Sequence, residues 1–213
     1  MFIPEQAFLK LSNGVGIMKI IGITGGIGSG KSRVLYHLKE EYNAYIVEAD
    51  KLAKRLMMPG NDAYLKIVEA FPEVVHEENA PIDSKILAGI VYNDSDKLSL
   101  LNSIVHPAVK EYIKKDIREK AEEGNCRLYF IEAALLIEDG YKDICDEMWY
   151  IRTDLEVRIK RLADYRGMDR EGAMAVIANQ KPDEFYIKYS DFIIDNSGDF
   201  DDTIMQIRTK FIA

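Results

Sequence analysis

Residues 24–32 read Thr-Gly-Gly-Ile-Gly-Ser-Gly-Lys-Ser, with four glycines and two serines around a single lysine. From Gly25 to Ser32 they fit the pattern G-x-x-x-x-G-K-S, which is typical of a phosphate-binding loop (P-loop) between a strand and a helix. The run 18–24 is short and apolar, as expected of a buried parallel strand. Residues 31–42 carry apolar side chains at helical spacing. The sequence therefore predicts a strand, a glycine-rich loop and a helix, in that order.

The residue types in this loop suit the triphosphate of ATP. Glycines let backbone N–H groups turn toward phosphate oxygens, and the N-terminus of the following helix adds a favourable dipole. Lys31 would reach the β- and γ-phosphates, and the Ser32 hydroxyl would bind Mg²⁺. A turn that binds no ligand is the alternative. We expect ATP and Mg²⁺ as cofactors, bound at Gly25, Gly26, Ile27, Gly28, Ser29, Gly30, Lys31 and Ser32.

Two other nucleotide-binding patterns are missing. The dinucleotide fingerprint G-x-G-x-x-G, begun at Gly26, would need glycine at position 31, where Lys31 stands. The sequence also contains no N-K-x-D segment of the kind that recognises guanine. These observations favour an ATP-using phosphoryl transferase or an ATPase.

Strand and helix patterns alternate along the rest of the chain. Four further apolar runs read as strands, at 44–49, 127–134, 147–152 and 191–195. Because helical sequence separates them, we expect a five-stranded parallel sheet with helices on both faces. The predicted fold class is thus a three-layer α/β P-loop kinase fold.

Two segments interrupt the alternation. Residues from about 51 to 125 are polar and helical, which predicts a helical subdomain inserted beside the sheet, with Pro107 in the first turn of a helix. A charged helical segment at about 160–188 is a candidate lid. Residues 1–17 are interpreted as an N-terminal extension, because Met18 is a second plausible start. We expect residues 18–213 to form a single kinase domain.

Composition narrows the possible partners. The net charge of −8 over 213 residues offers no basic field for nucleic acid. No apolar run is long enough for a membrane span. The two cysteines, Cys126 and Cys145, lack metal-site or disulfide-scaffold spacing, so they are interpreted as reduced packing residues of a cytoplasmic protein. We therefore expect small-molecule substrates. The sequence leaves the oligomeric state open.

Carboxylates follow two of the predicted strands. Glu48 and Asp50 end the second strand, and alternation along a strand would place both on one side. A kinase needs a carboxylate to accept the proton of the acceptor hydroxyl, and Asp50 is a candidate for that role. Asp50 as the N-cap of a helix that begins at Lys51 is the structural alternative. Glu132 follows an apolar run and could hold Mg²⁺ through water, bind substrate or serve only the structure.

Taken together, these motifs resemble those of a known enzyme family. The sequence resembles the dephospho-coenzyme A kinase family from Met18 to about Ile207, in both order and spacing. The resemblance rests on these segments: G-I-T-G-G-I-G-S-G-K-S, E-A-D-K-L-A-K, V-H-P, E-A-A-L-L-I-E, an R-x-x-x-x-R segment, I-A-N-Q and S-D-F-I-I-D-N-S-G. It implies transfer of the γ-phosphoryl group of MgATP to the ribose 3′-hydroxyl of dephospho-coenzyme A, the last step of coenzyme A synthesis.

The resemblance also implies roles for particular residues. Lys31, Asp50 and Arg161 would be catalytic, with Asp50 as the base and Arg161 as a phosphate-facing lid arginine. Arg161 and Asn196 would join the ATP site, with Asn196 near the adenine. The implied acceptor-binding residues are Asp50, His106, Glu132 and Leu135. His106 is as compatible with a capping or packing role as with a binding role.

Three departures from the family pattern bear on the acceptor. The family usually has D-A-D where this chain has Glu48-Ala49-Asp50, and P-L-L where it has Ala134-Leu135-Leu136. The second lid arginine usually comes four residues after the first, where Tyr165 stands here, and Arg166 follows one residue late. A kinase of another nucleotide-like acceptor and a nucleotide-binding regulatory protein without transfer activity are the alternatives.

Overall fold

The glycine-rich loop lies between the first strand and the first helix, as predicted. Strand β1 spans Lys19–Gly25 and helix α1 spans Lys31–Tyr42. The computed structural model describes residues 18–212. The expected N-terminal extension at 1–17 therefore lies outside the described residues.

Five parallel strands form one sheet, which confirms the predicted fold class. The remaining strands are β2 (Tyr45–Glu48), β3 (Leu128–Glu132), β4 (Glu147–Arg152) and β5 (Phe192–Asp195). Their order in the sheet is β2-β3-β1-β4-β5. β1 lies between β3 and β4, so the loop that follows it starts near the middle of the sheet.

Helices occupy most of the chain between the strands. Besides α1, the described residues contain the helices α2 (Ala49–Leu56), α3 (Asp62–Ala70), α4 (Ser84–Tyr92), α5 (Ser95–Glu123), α6 (Leu155–Arg166), α7 (Arg170–Ala178), α8 (Asp183–Tyr189) and α9 (Phe200–Ile212).

The register brings the functional ends of the strands to one edge of the sheet. Ile23 of β1 lies opposite Glu132 of β3, and Gly25 lies opposite Ile151 of β4. Arg152 at the end of β4 lies opposite Asp195 at the end of β5. In open α/β sheets ligands bind beyond the carboxyl ends of the strands. The loop after β1 and Glu132 both lie at that edge.

Both faces of the sheet are covered by helices. On one face Trp149 is fully buried in a cluster with Val34 and Leu38 of α1 and Ile207 of α9. On the other face the ring of Tyr150 stacks on Tyr186 of α8, with 4.9 Å between centroids and 13° between planes. Successive side chains of a strand point to opposite faces, which explains why neighbours in β4 contact different helices.

The chain divides into two compact units. One contains residues 18–46 and 120–212 of the described range and includes most of the sheet. The other spans Val47–Glu119 and is almost entirely helical. Its own core includes the fully buried Ile67 and Ile113, and the hydroxyl of the buried Tyr64 donates to the carbonyl oxygen of Ala80 at 2.7 Å.

The prediction for Pro107 is wrong. Pro107 lies in the interior of α5, a helix of 29 residues, and not in a first turn. Proline has no N–H to donate to the carbonyl of Ser103, so an interior position costs a hydrogen bond. Val105 and Val109 on either side are buried. Burial of this apolar face offsets the local cost and the helix continues through the proline.

Neither cysteine of the described range is part of a disulfide. Cys126 is buried, and burial raises the pKa of Cys145 to about 12. The raised pKa keeps the Cys145 thiol protonated near neutral pH, in line with a packing role.

No helix within residues 18–212 combines the length and apolar composition needed to cross a membrane.

Candidate active site

The loop after β1 lines a cavity of about 400 Å³. Residues 26–33 form one side of it. Arg161, Leu162, Tyr165 and Arg166 of α6 form another side, and Asn196 after β5 completes the lining. The structure therefore brings the predicted loop, lid arginine and adenine-side residue together around one space.

The one-residue offset of the second lid arginine does not remove it from this cavity. Tyr165 and Arg166 both line it, and the ring of Tyr165 is 84% exposed. Arg166 is also exposed, in the last turn of α6. Two cationic side chains of the predicted lid, Arg161 and Arg166, thus lie on the same side of the cavity.

Lys31 contacts the ends of two neighbouring strands. Its ammonium nitrogen donates to the carbonyl oxygen of Gly25 at 2.9 Å and lies 3.3 Å from Oε1 of Glu132. The side chains of Lys31 and Glu132 are only 20% and 12% exposed. Glu132 therefore lies beside the loop, as its position after a predicted strand indicated.

The carbonyl oxygen of Ser29 organises the centre of the loop. It accepts hydrogen bonds from Asn196 Nδ2 at 2.7 Å, from Thr153 Oγ1 at 3.0 Å and from Arg161 Nη1 at 3.2 Å. Three donors on one carbonyl hold that peptide group in a fixed direction. Arg161 also donates to the carbonyl oxygen of Asn196 at 2.8 Å. The predicted lid arginine is thus joined directly to the loop and to the segment after β5.

The side-chain amide of Asn196 is buried, and both its nitrogen and its oxygen form hydrogen bonds. Besides donating to Ser29, it accepts a hydrogen bond from Thr203 Oγ1 at 2.9 Å. The adjacent Asp195 pairs with Arg152 at 2.8 Å. Burial raises the pKa of Asp195, but hydrogen bonds from Ser197 and the nearby Arg152 guanidinium outweigh it and lower the pKa below its ordinary value. This network fixes the segment that carries Asn196.

Sequence reasoning missed two residues that contact the loop. Arg158 Nε donates to the carbonyl oxygen of Ile27 at 2.8 Å, and Gln180 Oε1 accepts from the N–H of Ile27 at 2.9 Å. Gln180 ends the quoted segment I-A-N-Q but received no role, and Arg158 lies just before the quoted R-x-x-x-x-R segment. Arg158 precedes Arg161 by three residues, so the two share a helix face. That spacing was the one available signal.

Asp50 and His106 belong to the Val47–Glu119 unit. Asp50 is exposed in the first turn of α2, where Glu48 occupies the N-cap position, so the expectation that Asp50 could cap the helix is wrong. The alternation argument for Glu48 and Asp50 also fails, because β2 ends at Glu48 and Asp50 is helical. His106 is half-buried within α5.

Leu135 lies in the turn that follows β3. Its side chain is 48% exposed, whereas the next residue, Leu136, is fully buried. A large exposed apolar side chain three residues after Glu132 is available for contact with a ligand.

A model of the dephospho-CoA kinase family matches residues 19–202. The chain belongs to the dephospho-CoA kinase family. The match includes the loop, Asp50, His106, Glu132, both lid arginines and Asn196. The resemblance noted in the sequence is therefore confirmed as family membership.

Curated dephospho-CoA kinases are similar to this chain over most of their length. The enzyme of Carboxydothermus hydrogenoformans is 37% identical over 193 residues, which cover 91% of this chain and 93% of the relative. The enzyme of Aquifex aeolicus is 37% identical over 194 residues, covering 91% and 96%. These dephospho-CoA kinases extend little beyond the segment that this chain matches.

Solved structures agree with the family. A protein from Thermus thermophilus is 29% identical with a TM-score of 0.75, covering 91% of this chain and 96% of that one. The dephospho-CoA kinase from Campylobacter jejuni is 25% identical with a TM-score of 0.67, covering 92% and 96%. A shikimate kinase from Acinetobacter baumannii, 12% identical with a TM-score of 0.52 over 97% and 95%, shares the fold alone.

Proposed function

We propose that this protein transfers the γ-phosphoryl group of ATP to the ribose 3′-hydroxyl of dephospho-coenzyme A, giving coenzyme A and ADP. One observation carries the proposal: the family match runs from residue 19 to residue 202, through the phosphate loop and every predicted site residue. Members of this family act on small molecules. The reaction is that of a phosphotransferase with an alcohol acceptor, in the last step of coenzyme A biosynthesis.

ATP occupies the loop cavity in this proposal. Backbone N–H groups in the second half of the loop and in the first turn of α1 bind the phosphates, and Lys31 contacts the β- and γ-phosphates. Arg161 and Arg166 of α6 lie across the cavity and neutralise charge that develops on the transferred group. Asn196 lines the same cavity and lies on the adenine side.

The residues at the loop fit a magnesium ion bound mainly by nucleotide. Ser32 is exposed in the first turn of α1, and the carboxylate of Glu132 lies 3.3 Å from the ammonium group of Lys31. Within the described range 18–212, no group of three or more His, Cys, Asp or Glu side chains could hold a metal ion. Mg²⁺ in kinases takes few protein ligands beside phosphates and water. Ser32 would bind it directly and Glu132 through water, and the ion would supply charge neutralisation at the phosphates.

The acceptor site is assigned to Asp50, His106, Glu132 and Leu135. Asp50 is exposed, so its carboxylate can accept the proton of the attacking 3′-hydroxyl. Glu132 and the exposed Leu135 lie on the segment that leaves the sheet beside the loop. The Val47–Glu119 unit, with His106, is the acceptor-binding subdomain in this proposal, and the segment at about 160–188 is the lid.

A kinase acting on another nucleotide-like acceptor is the second candidate. Glu48 and Ala134 replace the usual family residues at the two strand ends on the acceptor side, and Ala134 and Leu135 are both exposed. An altered acceptor preference would arise from the changed side chains at these two positions.

An acceptor panel separates these candidates. The purified protein is given MgATP with dephospho-coenzyme A, adenosine, AMP or pantetheine phosphate, and ADP release and product mass are measured. One new phosphate on dephospho-coenzyme A alone supports the proposal. Phosphorylation of another acceptor supports the second candidate, and no product with any acceptor contradicts both.

A further inference from the structure

Both backbone polar groups of Ile27, in the first half of the phosphate loop, form hydrogen bonds to side chains. Its N–H donates to Gln180 Oε1 at 2.9 Å, and its carbonyl oxygen accepts from Arg158 Nε at 2.8 Å. Arg158 Nη2 also donates to Gln180 Oε1 at 2.6 Å. Arg158 and Gln180 thus bracket the backbone of one loop residue and bond to each other. We call this pair the Ile27 bracket.

The neighbouring glycines make room for Arg158. A Cβ at Gly26 would collide with the guanidinium group, and one at Gly28 would lie 3.0 Å from the backbone carbonyl oxygen of Arg158. Gly28 also has φ of +77°, which side chains rarely adopt. These two glycines therefore serve close packing against α6 as well as phosphate binding.

Arg158 is an unusual cation. It is 7% exposed, and within residues 18–212 its guanidinium group does not bond to a carboxylate. Its hydrogen bonds go to the loop carbonyl and to the Gln180 amide instead. A buried charge is costly unless it is well bonded. We infer that the loop conformation stabilised by Arg158 offsets the free-energy cost of burying its charge.

Gln180 ties the loop to the second lid helix. It follows the C-terminus of α7, where its N–H donates to the carbonyl oxygen of Ile177 at 3.0 Å. Arg158 lies on α6, and α6 and α7 share a buried cluster that the side chain of Ile27 packs against. Ile27 is therefore held by both helices through hydrogen bonds and through packing.

We propose that Arg158 and Gln180 are positioning residues that preset the phosphate loop for the triphosphate of ATP. The inference rests on the proposed function only in naming ATP as the nucleotide. The bracket engages both backbone polar groups of Ile27 and so fixes the direction of the two peptide groups that flank this residue. A loop fixed beforehand loses less conformational freedom when it binds, which raises affinity. The bracket acts on ground state and transition state alike, so it lowers the KM for ATP and leaves kcat nearly unchanged.

The test uses three variants and a matched control in the full-length protein. Arg158→Met and Gln180→Leu remove the bracket, whereas Gln180→Glu keeps an oxygen acceptor for both donors. Arg170→Met is the control, because Arg170 is an exposed arginine on α7 that pairs with the exposed Glu156. For each variant the Kd for MgATP is measured without acceptor, kcat and both KM values are measured with dephospho-coenzyme A, and folding is checked by circular dichroism.

We expect Arg158→Met and Gln180→Leu to raise the Kd and KM for ATP by about tenfold or more, since each loses hydrogen bonds that involve a charged group or a buried peptide. The KM for dephospho-coenzyme A and kcat at saturating ATP should change by less than about threefold. Gln180→Glu and Arg170→Met should stay within about threefold of the unmodified protein in ATP affinity.

An unchanged ATP Kd in either folded bracket variant would overturn the proposal. So would a Gln180→Glu protein as weak as Gln180→Leu, because the oxygen acceptor would then be irrelevant. If Arg158→Met does not fold, the two Gln180 variants decide, since Gln180 is only half-buried. The Kd comparison needs no acceptor, so it stands even if dephospho-coenzyme A proves not to be the substrate.

Discussion

The ammonium group of Lys31 lies 3.3 Å from the carboxylate of Glu132, at the point where β1 and β3 end side by side. Lys31 is predicted to contact the transferred phosphate, and Glu132 is predicted to bind the metal ion or the acceptor. The ion pair brings these two side chains together. It therefore links the nucleotide side of the site to the segment that carries Leu135.

Glu132→Gln should lower kcat by about tenfold or more and raise the Mg²⁺ concentration needed for half-maximal rate. Glutamine keeps the size of the side chain but removes the charge that orients Lys31. The free energy of unfolding should fall by about 1 kcal/mol, since the pair is partly exposed. Steady-state kinetics with a magnesium titration and urea unfolding measure both effects.

Glu147→Gln is the matched control for this change. Glu147 pairs with Lys19 at 2.7 Å and begins β4, at the opposite end of the strand from the site. Its replacement should alter stability and leave turnover unchanged. Equal loss of turnover in both variants would contradict a specific role for Glu132.

Asp50→Asn should lower kcat by about a hundredfold while the Kd for ATP stays within about twofold, because asparagine cannot accept the proton of the 3′-hydroxyl. Isothermal titration with MgATP and a coupled ADP assay provide the two quantities. Asp96→Asn, an exposed first-turn aspartate of α5, is the control. Full turnover in Asp50→Asn would remove Asp50 from the mechanism.

The two lid arginines should respond differently to removal. Arg161→Ala loses hydrogen bonds to Ser29 and Asn196, so both the melting temperature and kcat should fall, with kcat down by about a hundredfold. Arg166→Ala should lower kcat without a change in melting temperature, since Arg166 is exposed. Thermal unfolding and kinetics on both variants test this. Unchanged kcat in Arg166→Ala would show that only Arg161 serves the phosphates.

His37 should make stability depend on pH near neutrality. Burial lowers the pKa of His37 below 6.5, while the Glu41 carboxylate opposes the shift only in part. In the unfolded chain the imidazole has its ordinary pKa. As pH falls through about 6.5, the unfolded chain therefore binds a proton at His37 more readily than the folded protein does. The free energy of unfolding should therefore decrease from pH 7.5 to pH 5.5.

Replacement of His37 measures that contribution. The ring meets Tyr42 and Phe200 edge-on, and its Nε2 is buried without a hydrogen-bond partner in the described structure, so His37→Phe should fit. Urea unfolding at the two pH values should show a smaller decrease for His37→Phe than for the unmodified protein. The same change at the exposed His76 is the control. An identical decrease in His37→Phe would refute the assignment.

Local sequence patterns were sufficient to predict the phosphate loop and the strands of the sheet. The strand before Gly25 and the helix after Gly30 depend on apolar runs and glycine positions that lie within a few residues of one another. The five strands could be read in the same way, because each contains a short apolar run, and the three central strands are largely buried. These elements were therefore predictable before any contact was known.

Long-range contacts were not predictable from such patterns. Ile27 and Gln180 bond across 153 residues of sequence, and nothing near either one indicates the other. Pro107 was misplaced for a different reason. Proline favours the first turn of a helix, but burial of the α5 face that includes Val109 keeps Pro107 in the helix interior. Asp50 was misplaced because the strand pattern was extended past Glu48, where the backbone turns helical.

The most direct test of the central claim is tandem mass spectrometry of the product formed from MgATP and dephospho-coenzyme A by the purified protein. The account predicts one added phosphate, located on the ribose 3′-oxygen, with one ADP released per product. A phosphate at another position, or no product with dephospho-coenzyme A while another acceptor of the panel is phosphorylated, would contradict it.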